Sequence, residues 1–271
     1  MADETGFQLR GSAPERYERY AAPFMAPFVE TILDAVDLFP GATVLDVACG
    51  TGFAARAAAA RVGPAGRVSG ADINEGMIRV AAEHAPRMYP DIEFTAAPAD
   101  TLPYQDAAFD AVVCQQGAQF FPDLAAALAE TARVTRPGGR FAATTWAARD
   151  RIPYFVAQYE AVKEYGGPQL AANYEGAFSG TADRLTAALR TAGFHDVTSR
   201  EVTFGIAFPP LAEYAFGQLS STSWGQAIVD HAGDDALVGA GRAVHAHLAD
   251  RTASDGSATL PFTANLVTGV R

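Results

Sequence analysis

The sequence predicts an α/β fold, a doubly wound sheet of seven strands with an added helical cap, and three observations predict it. Short apolar runs alternate with segments of helical length between residues 40 and 146. The first run ends in a Gly-x-Gly turn, at Gly50 and Gly52. Beyond Trp146 the alternation gives way to aromatic-rich helical sequence and two final strand-like runs. Strands separated by helices at this spacing pair in parallel through right-handed crossovers.

Taken in order, residues 14–36 read as two short helices broken by Pro23 and Pro27, with Tyr17 and Tyr20 on the first. Val44 to Ala48, bounded by Gly41 and Gly50, is a buried strand, and an Ala-rich helix follows over 53–62. Arg67 to Asp72 is a second strand, 75–83 a helix and 92–96 a third strand. Phe109 to Cys114 is a fourth strand, 123–135 a helix, Pro137-Gly138-Gly139 a turn, and 140–146 a fifth strand. Residues 153–165 and 181–192 are helical, the second closed by Gly193. Residues 197–206 and 260–270 alternate as strands, and two helices near 211–219 and 235–249 lie between them. The expected organisation is an N-terminal helical lid (1–36), a cofactor-binding core (37–147), and remaining strands with a cap over the substrate site (148–271). In such sheets the ligand lies at the carboxyl ends of the strands, where the strand order reverses.

Composition narrows the class. The chain has 271 residues, 49% hydrophobic and 19% charged, which suits a globular protein with a substantial core. A net charge of −11 offers no basic stripe for phosphates, so nucleic acid is not an expected partner. No apolar run approaches the roughly 20 residues that span a bilayer, and no leader is visible behind Met1, so a cytoplasmic protein without membrane contact is expected. The two cysteines, Cys49 and Cys114, lack zinc or disulfide spacing, and no metal is expected. A monomer or homodimer is expected.

The chemistry concentrates in Val44-Leu45-Asp46-Val47-Ala48-Cys49-Gly50-Thr51-Gly52. Glycine lets the backbone turn tightly and approach a ligand, a need shared by phosphate, dinucleotide and adenosyl sites. No Gly-Lys-Ser/Thr follows, so it is not a P-loop. Asp72, 20 residues after Gly52, is an acceptor-only carboxylate suited to two ribose hydroxyls. Asp72-Ile73-Asn74-x-x-Met77, Ala99-Asp100-Thr101-Leu102-Pro103, Phe109-Asp110-x-Val112 and Arg133-Val134-x-x-Pro137-Gly138-Gly139 follow in order.

Together these motifs resemble the class I S-adenosylmethionine (SAM)-dependent methyltransferases, in the subgroup of the ubiquinone/menaquinone C-methyltransferases, over roughly residues 40–146. The resemblance implies a Rossmann-like core with SAM as cofactor and S-adenosylhomocysteine (SAH) as product. It also implies cofactor contacts from Tyr17, Tyr20, Asp46, Ala48, Gly50, Gly52, Asp72, Ile73, Met77, Ala99, Asp100, Thr101 and Gln115. Ile73 and Met77 would pack the adenine faces, Asp100 would receive its amino group, and Tyr17 and Tyr20 would close over the cofactor. Asp46 either touches the cofactor's amino group or orients the glycine loop; both readings stand.

The segment after the fourth strand, Gln115 to Asp123, has no histidine, where many relatives carry one. Gln116 and Gln119 are candidate substrate contacts, with Trp146, Tyr154 and Trp224 as parts of an apolar acceptor pocket. Gln119, Tyr20 and His231 are the candidate catalytic groups, His231 being chosen from His84, His195, His231, His245 and His247 for its place in the cap. The expected reaction is methyl transfer to a small aromatic or natural-product acceptor, as the Ala-rich, actinobacterial-like composition suggests. Carbon is favoured over oxygen or nitrogen, because an indole- or quinone-like ring supplies its own electrons. Two alternatives are a SAM-fold protein that assists a cyclisation without methyl transfer, and a dinucleotide-dependent oxidoreductase. The latter is disfavoured because Lys163 is the only lysine in the chain.

Overall fold

The computed structural model describes residues 9–86, 91–178 and 180–271. Five parallel strands, β1 (Thr43–Val47), β2 (Arg67–Asp72), β3 (Ile92–Ala96), β4 (Phe109–Gln115) and β5 (Thr135–Trp146), form the Rossmann-like part of the sheet. Two long strands, β6 (His195–Phe208) and β7 (Ala258–Val270), extend it to seven in the order β3-β2-β1-β4-β5-β7-β6, with β7 antiparallel to both neighbours. Strand order reverses between β1 and β4, and the crevice of a doubly wound sheet opens there.

Alternation along the strands sorts the core into two layers. Val44, Ala111, Val113 and Ala142 face α2 (Ala26–Ala35), α3 (Phe53–Val62) and α6 (Pro153–Gly176). Leu45, Val112, Phe141 and Ala143 face α5 (Leu124–Val134) and α7 (Thr181–Thr191). The alanines of α3 have a packing reason: Ala54, Ala55, Ala58 and Ala59 are all buried, so that helix lies close on the sheet.

Caps fix the helices that frame the crevice. α4 (Glu75–His84) starts at Asn74, whose Oδ1 accepts the Met77 N–H at 3.0 Å. α5 starts at Asp123, whose Oδ1 accepts the Ala126 N–H at 2.9 Å. A side-chain acceptor there satisfies one of the orphan donors of the first turn. α1 (Ala13–Tyr20) and α2 are joined by a 3-10 turn, Ala22–Met25, and each of the three pieces carries proline in its first turn. A missing N–H costs nothing at that position.

The structure departs from the sequence expectation in three places. α6 continues past residue 165 to Gly176, broken at Gly167 (φ 81°, ψ 173°) before Pro168. Glycine adopts that conformation and proline cannot donate, so the helix restarts where periodicity suggests its end. β5 begins at Thr135, paired with Phe109, so the Pro137-Gly138-Gly139 turn lies within the strand as an irregularity. A helix unmarked in the sequence, α9 (Ser223–Ala232), stands between α8 (Leu211–Leu219) and α10 (Asp234–His247). Its start is tight: Thr222 caps the Gly225 N–H at 3.1 Å, and a Cβ on Gly225 would sit 2.1 Å from the Leu219 carbonyl oxygen. α9 and α10 pack on α6 and on each other, with α8 against α10. Among the described residues no helix is long and apolar enough to cross a membrane.

α1 bridges the sheet's crevice and this helical layer. On the sheet side, Asn74 Nδ2 donates to the Leu9 carbonyl at 2.9 Å, and Arg56 pairs with Glu18 at 2.6 Å. On the other side Arg16 donates twice to the Ser220 carbonyl, at 3.1 and 3.0 Å, and the Tyr214 hydroxyl donates to the Tyr20 carbonyl.

Candidate active site

The turn after β1 is held by its neighbours. Ala48, Gly50 and Gly52 all have positive φ (57°, 53° and 79°), a region where only glycine is at ease. The Cys49 N–H donates to the Ala71 carbonyl at 3.0 Å, and the Gly50 N–H to Asp72 Oδ2 at 2.8 Å. Asp72 Oδ1 accepts the Asn74 N–H at 2.9 Å. Asp72 thus ties the loop after β1 to the loop after β2, and each oxygen keeps a lone pair for a ligand.

Asp46 lies beneath this turn, wholly buried. Its Oδ2 accepts the Ala55 N–H at 3.0 Å, while Oδ1 has no hydrogen-bond partner. Burial pushes its carboxyl up to about 8, against the Ala55 hydrogen bond, which favours the ionised form. Burial raises Asp72 as well, and raises the Tyr17 phenol with help from the Asp72 charge.

A cavity of about 290 Å³ opens at the carboxyl ends of the parallel strands. One end is lined by Tyr17, Ala48, Gly50, Asp72, Ile73, Met77, Ala99 and Asp100. Ile73 is 41% exposed and Met77 only 4%, and both present apolar atoms beside Asp72. The other end is walled by Phe24, Phe120, Trp146, Phe155, Phe178 and Trp224, with the carboxamides of Gln116, Gln119, Gln158 and Gln218. Between them Gln115 lies beside Met25, its Nε2 3.4 Å from the Met25 sulfur. A recess of about 30 Å³, reached past Ala48, Gly50 and Gln115, is lined by Asp46 and Thr51. Thr51 Oγ1 and Asp46 Oδ1 are both buried and unpartnered.

The aromatic wall is continuous with the core. Trp146 meets Phe28 at 5.3 Å, Phe155 at 5.1 Å and Phe262 at 5.7 Å between ring centroids. Behind it, Gln158 donates to Gln218 Oε1 and accepts from the Tyr174 hydroxyl at 2.8 Å, which fixes both carboxamides.

Five expected site residues lie elsewhere. Gly52 is outside the lining; a Cβ there would be 2.7 Å from the Phe94 ring, so this glycine serves loop-to-β3 packing. Thr101 is exposed and outside the lining, its hydroxyl 3.4 Å from Asp100 Oδ1. Tyr20 packs on α8, where a Cβ on Gly217 would meet its ring at 2.6 Å, and does not reach the cavity as a cofactor contact or catalyst. Tyr154 is fully buried, stacked on Phe208 at 5.4 Å, and belongs to the core. His231 is exposed in the last turn of α9, away from the cavity, and has no position from which to act as a base.

The cavity also takes residues the sequence did not single out: Phe24, Met25, Gln158, Gln218 and Thr222. Gln158 carried a signal, as the polar member of a buried stripe with Tyr154, Ala161 and Val162 on α6. Phe24 and Met25 carried none, because a 3-10 turn between proline-started helices has no periodicity to read.

Comparison with known proteins agrees with this geometry. Residues 44–139 match a methyltransferase domain family. The chain is 32% identical to a demethylmenaquinone methyltransferase of Geobacillus kaustophilus over 193 residues, covering 66% of this chain and 81% of that one. It is 40% identical to the nocamycin O-methyltransferase of Saccharothrix syringae over 129 residues, a match spanning 47% of this chain and 46% of that relative. Among solved structures, the (4+2)-cyclase SpnF shares the fold at a TM-score of 0.57 and 21% identity, over 100% of this chain and 87% of that one.

Proposed function

This chain belongs to the class I SAM-dependent methyltransferases, and on that premise we propose that it methylates a largely apolar ring acceptor at carbon. One observation carries the reading: a single cavity joins a carboxylate-lined end at the loops after β1 and β2 to an aromatic, carboxamide-lined end beneath the cap.

The residues fit the cofactor. Asp72, with a lone pair left on each oxygen, accepts the ribose hydroxyls; Ile73 and Met77 take the adenine faces; Ala99 and Asp100 meet its edge. Asp46 Oδ1 takes the ammonium of the methionine part in the recess below Gly50, and its other oxygen still holds the Ala55 N–H. Both sequence readings of Asp46, as contact and as loop anchor, are joined in that arrangement. Gln115 and Tyr17 lie at the junction of the two ends.

When bound, SAM supplies an electrophilic methyl group on a sulfonium. An acceptor held at the aromatic end would take that methyl on its own electron pair, with the carbon–sulfur bond breaking and SAH as the leaving group. A ring carbon then loses its proton to solvent. What the chain contributes is position and dryness. Holding two reactants in line is equivalent to an effective molarity on the order of 10⁵ M or more. Trp146, Phe155 and Phe178 supply a rigid apolar wall for that purpose. Beside the carboxamides and the Thr222 hydroxyl, which orient an acceptor and do not remove its proton at neutral pH, the lining holds Asp123, whose Oδ1 already caps α5. A ring carbon, which reacts before it loses its proton, suits that environment.

The test is calorimetric titration with SAM, SAH and NADPH, followed by incubation with SAM and aromatic acceptors, reading SAH and the methylated product by mass spectrometry. Binding of both adenosyl compounds and SAH formed in step with a carbon-methylated acceptor is expected. NADPH binding alone, or an acceptor consumed without SAH, would overturn the proposal.

A further inference from the structure

Gln116 is an unusual place for a side chain. Its φ is +54°, it is 95% buried (5% exposed), and its N–H donates to the Thr144 carbonyl at 3.0 Å. Non-glycine residues held in that conformation need support from their surroundings, and such residues cluster at functional sites. Three residues on, Gln119 donates from Nε2 to Gln116 Oε1 at 3.3 Å. This leaves Gln116 Nε2 and Gln119 Oε1 buried without partners, on two side chains that both line the cavity. Turning both amides over exchanges the atoms and leaves the same remainder, one N–H donor and one carbonyl acceptor. Elsewhere in the same wall Gln158 is engaged on both polar atoms, donating to Gln218 Oε1 and accepting from the Tyr174 hydroxyl. The charged side chains of the described lining are Asp72, Asp100 and Asp123, all carboxylates.

From this we infer that Gln116 and Gln119 form a two-point clamp for an uncharged, planar acceptor bearing a carbonyl beside an N–H or O–H, the pattern of a lactam or an enolised 1,3-dicarbonyl. The inference rests on the methyl-transfer reading of the same cavity. The geometry gives the clamp its selectivity. The free N–H of one amide holds the acceptor's carbonyl, and the free carbonyl of the other takes the adjacent hydrogen. An anionic acceptor would lose its hydration against aromatic rings and carboxylates, without a cation in the lining to replace it. The contact that accepts the acceptor's N–H or O–H raises electron density in the conjugated system and the contact that donates to its carbonyl withdraws it, so the clamp's contribution is orientation.

The test uses the SAH-loaded protein and three probes of similar size: 2-quinolone, N-methyl-2-quinolone and quinoline-2-carboxylate. Calorimetry is expected to show 2-quinolone binding at least about tenfold more tightly than either of the others, since each mismatched probe leaves a buried group unpaired. In Gln119→Met and in Gln116→Asn, which suits the positive φ but shortens the reach, that preference is expected to shrink to within about threefold. SAH affinity in the same titrations is expected to stay within about twofold of wild type, and reports that each variant is folded. Equal binding of the two quinolones, tighter binding of the carboxylate, no binding of 2-quinolone, or an undiminished preference in both variants would overturn the clamp. Failure of SAH itself to bind would instead strike the cofactor reading beneath it.

Discussion

Binding of SAH at pH 7 is expected to expel most of one proton, and Asp46 is its source. The carboxyl is wholly buried, holds one backbone N–H, and titrates at about 8. At pH 7 about nine in ten molecules therefore carry it protonated. An ammonium arriving at the unpartnered Oδ1 favours the carboxylate, so most of the proton held there, up to about 0.9 per site, is released. Calorimetry in phosphate and in Tris, whose ionisation enthalpies differ widely, reads that number as the slope of apparent heat on buffer enthalpy. Asp46→Asn keeps an acceptor for the Ala55 N–H and removes the titrating group, so the slope should collapse. Release that persists in the variant belongs to Asp72, whose carboxyl burial also raises. A flat slope in the wild type, or equal slopes in both proteins, would refute the assignment of Oδ1 to the ammonium. The same shift acts on folding. The folded chain binds the proton more tightly than the unfolded chain, whose value is near 3.8, so this group's contribution is full below about 4 and is lost as pH rises towards 8. Thermal midpoints of the unliganded protein should fall across that window, and less steeply for Asp46→Asn.

Three further outcomes follow from the packing. Gly52→Ala must hold φ near +79° and displace the Phe94 ring from 2.7 Å, so urea unfolding should show a loss of roughly 2–4 kcal/mol; a loss below about 0.5 would mean the loop relaxes freely. Tyr174→Phe strips Gln158 Oε1 of its donor, and about 1–3 kcal/mol of stability should go with it, read by the same method. His231→Ala removes an exposed side chain away from the cavity, so its pH–rate profile and SAH affinity should superimpose on those of the parent; a lost ionisation would restore the histidine to the mechanism.

Much of the cavity's end around Asp72 was legible because backbone rules write it into the sequence. A glycine turn after an apolar strand and an aspartate at the end of the next are local patterns, and Gly50, Asp72, Ile73, Met77 and Asp100 all line the cavity. Local pattern also misled. Gly52 belongs to the same motif as Gly50, yet the ring that requires it, Phe94, is 42 residues away on β3, and only tertiary packing shows which glycine faces the ligand. Tyr20 follows Tyr17 by three residues, a spacing that keeps both near one face of a helix. Yet Tyr17 lines the cavity while Tyr20, in the last turn, packs on α8, so the neighbour each ring meets is set by tertiary packing and not by the local pattern. The acceptor end was harder. Trp146, Trp224, Gln116 and Gln119, expected from the sequence as parts of an acceptor pocket, do line the cavity, whereas Tyr154 went to the core, and Phe24, Gln158 and Gln218 come from three separate elements that only folding assembles. His231 was chosen because it lay in the cap, and α9, the helix that turns it outwards, starts at a glycine-bearing first turn without a strong propensity signal.

The merging of aromatic wall and core has a consequence for how such an enzyme diversifies. Trp146 and Phe155 are each under 10% exposed and are bound into the same ring cluster as Phe28 and Phe262. Truncating a ring so placed costs about 3–5 kcal/mol, a large share of what keeps a domain folded. Heritable change in acceptor preference therefore cannot pass through these positions one substitution at a time. It has a cheaper route through Gln119, Phe120 and Trp224, which are only partly buried and sit on the loop after β4 and on α9. Lineages descended from this architecture should keep the deep wall nearly fixed and explore new acceptors at its rim.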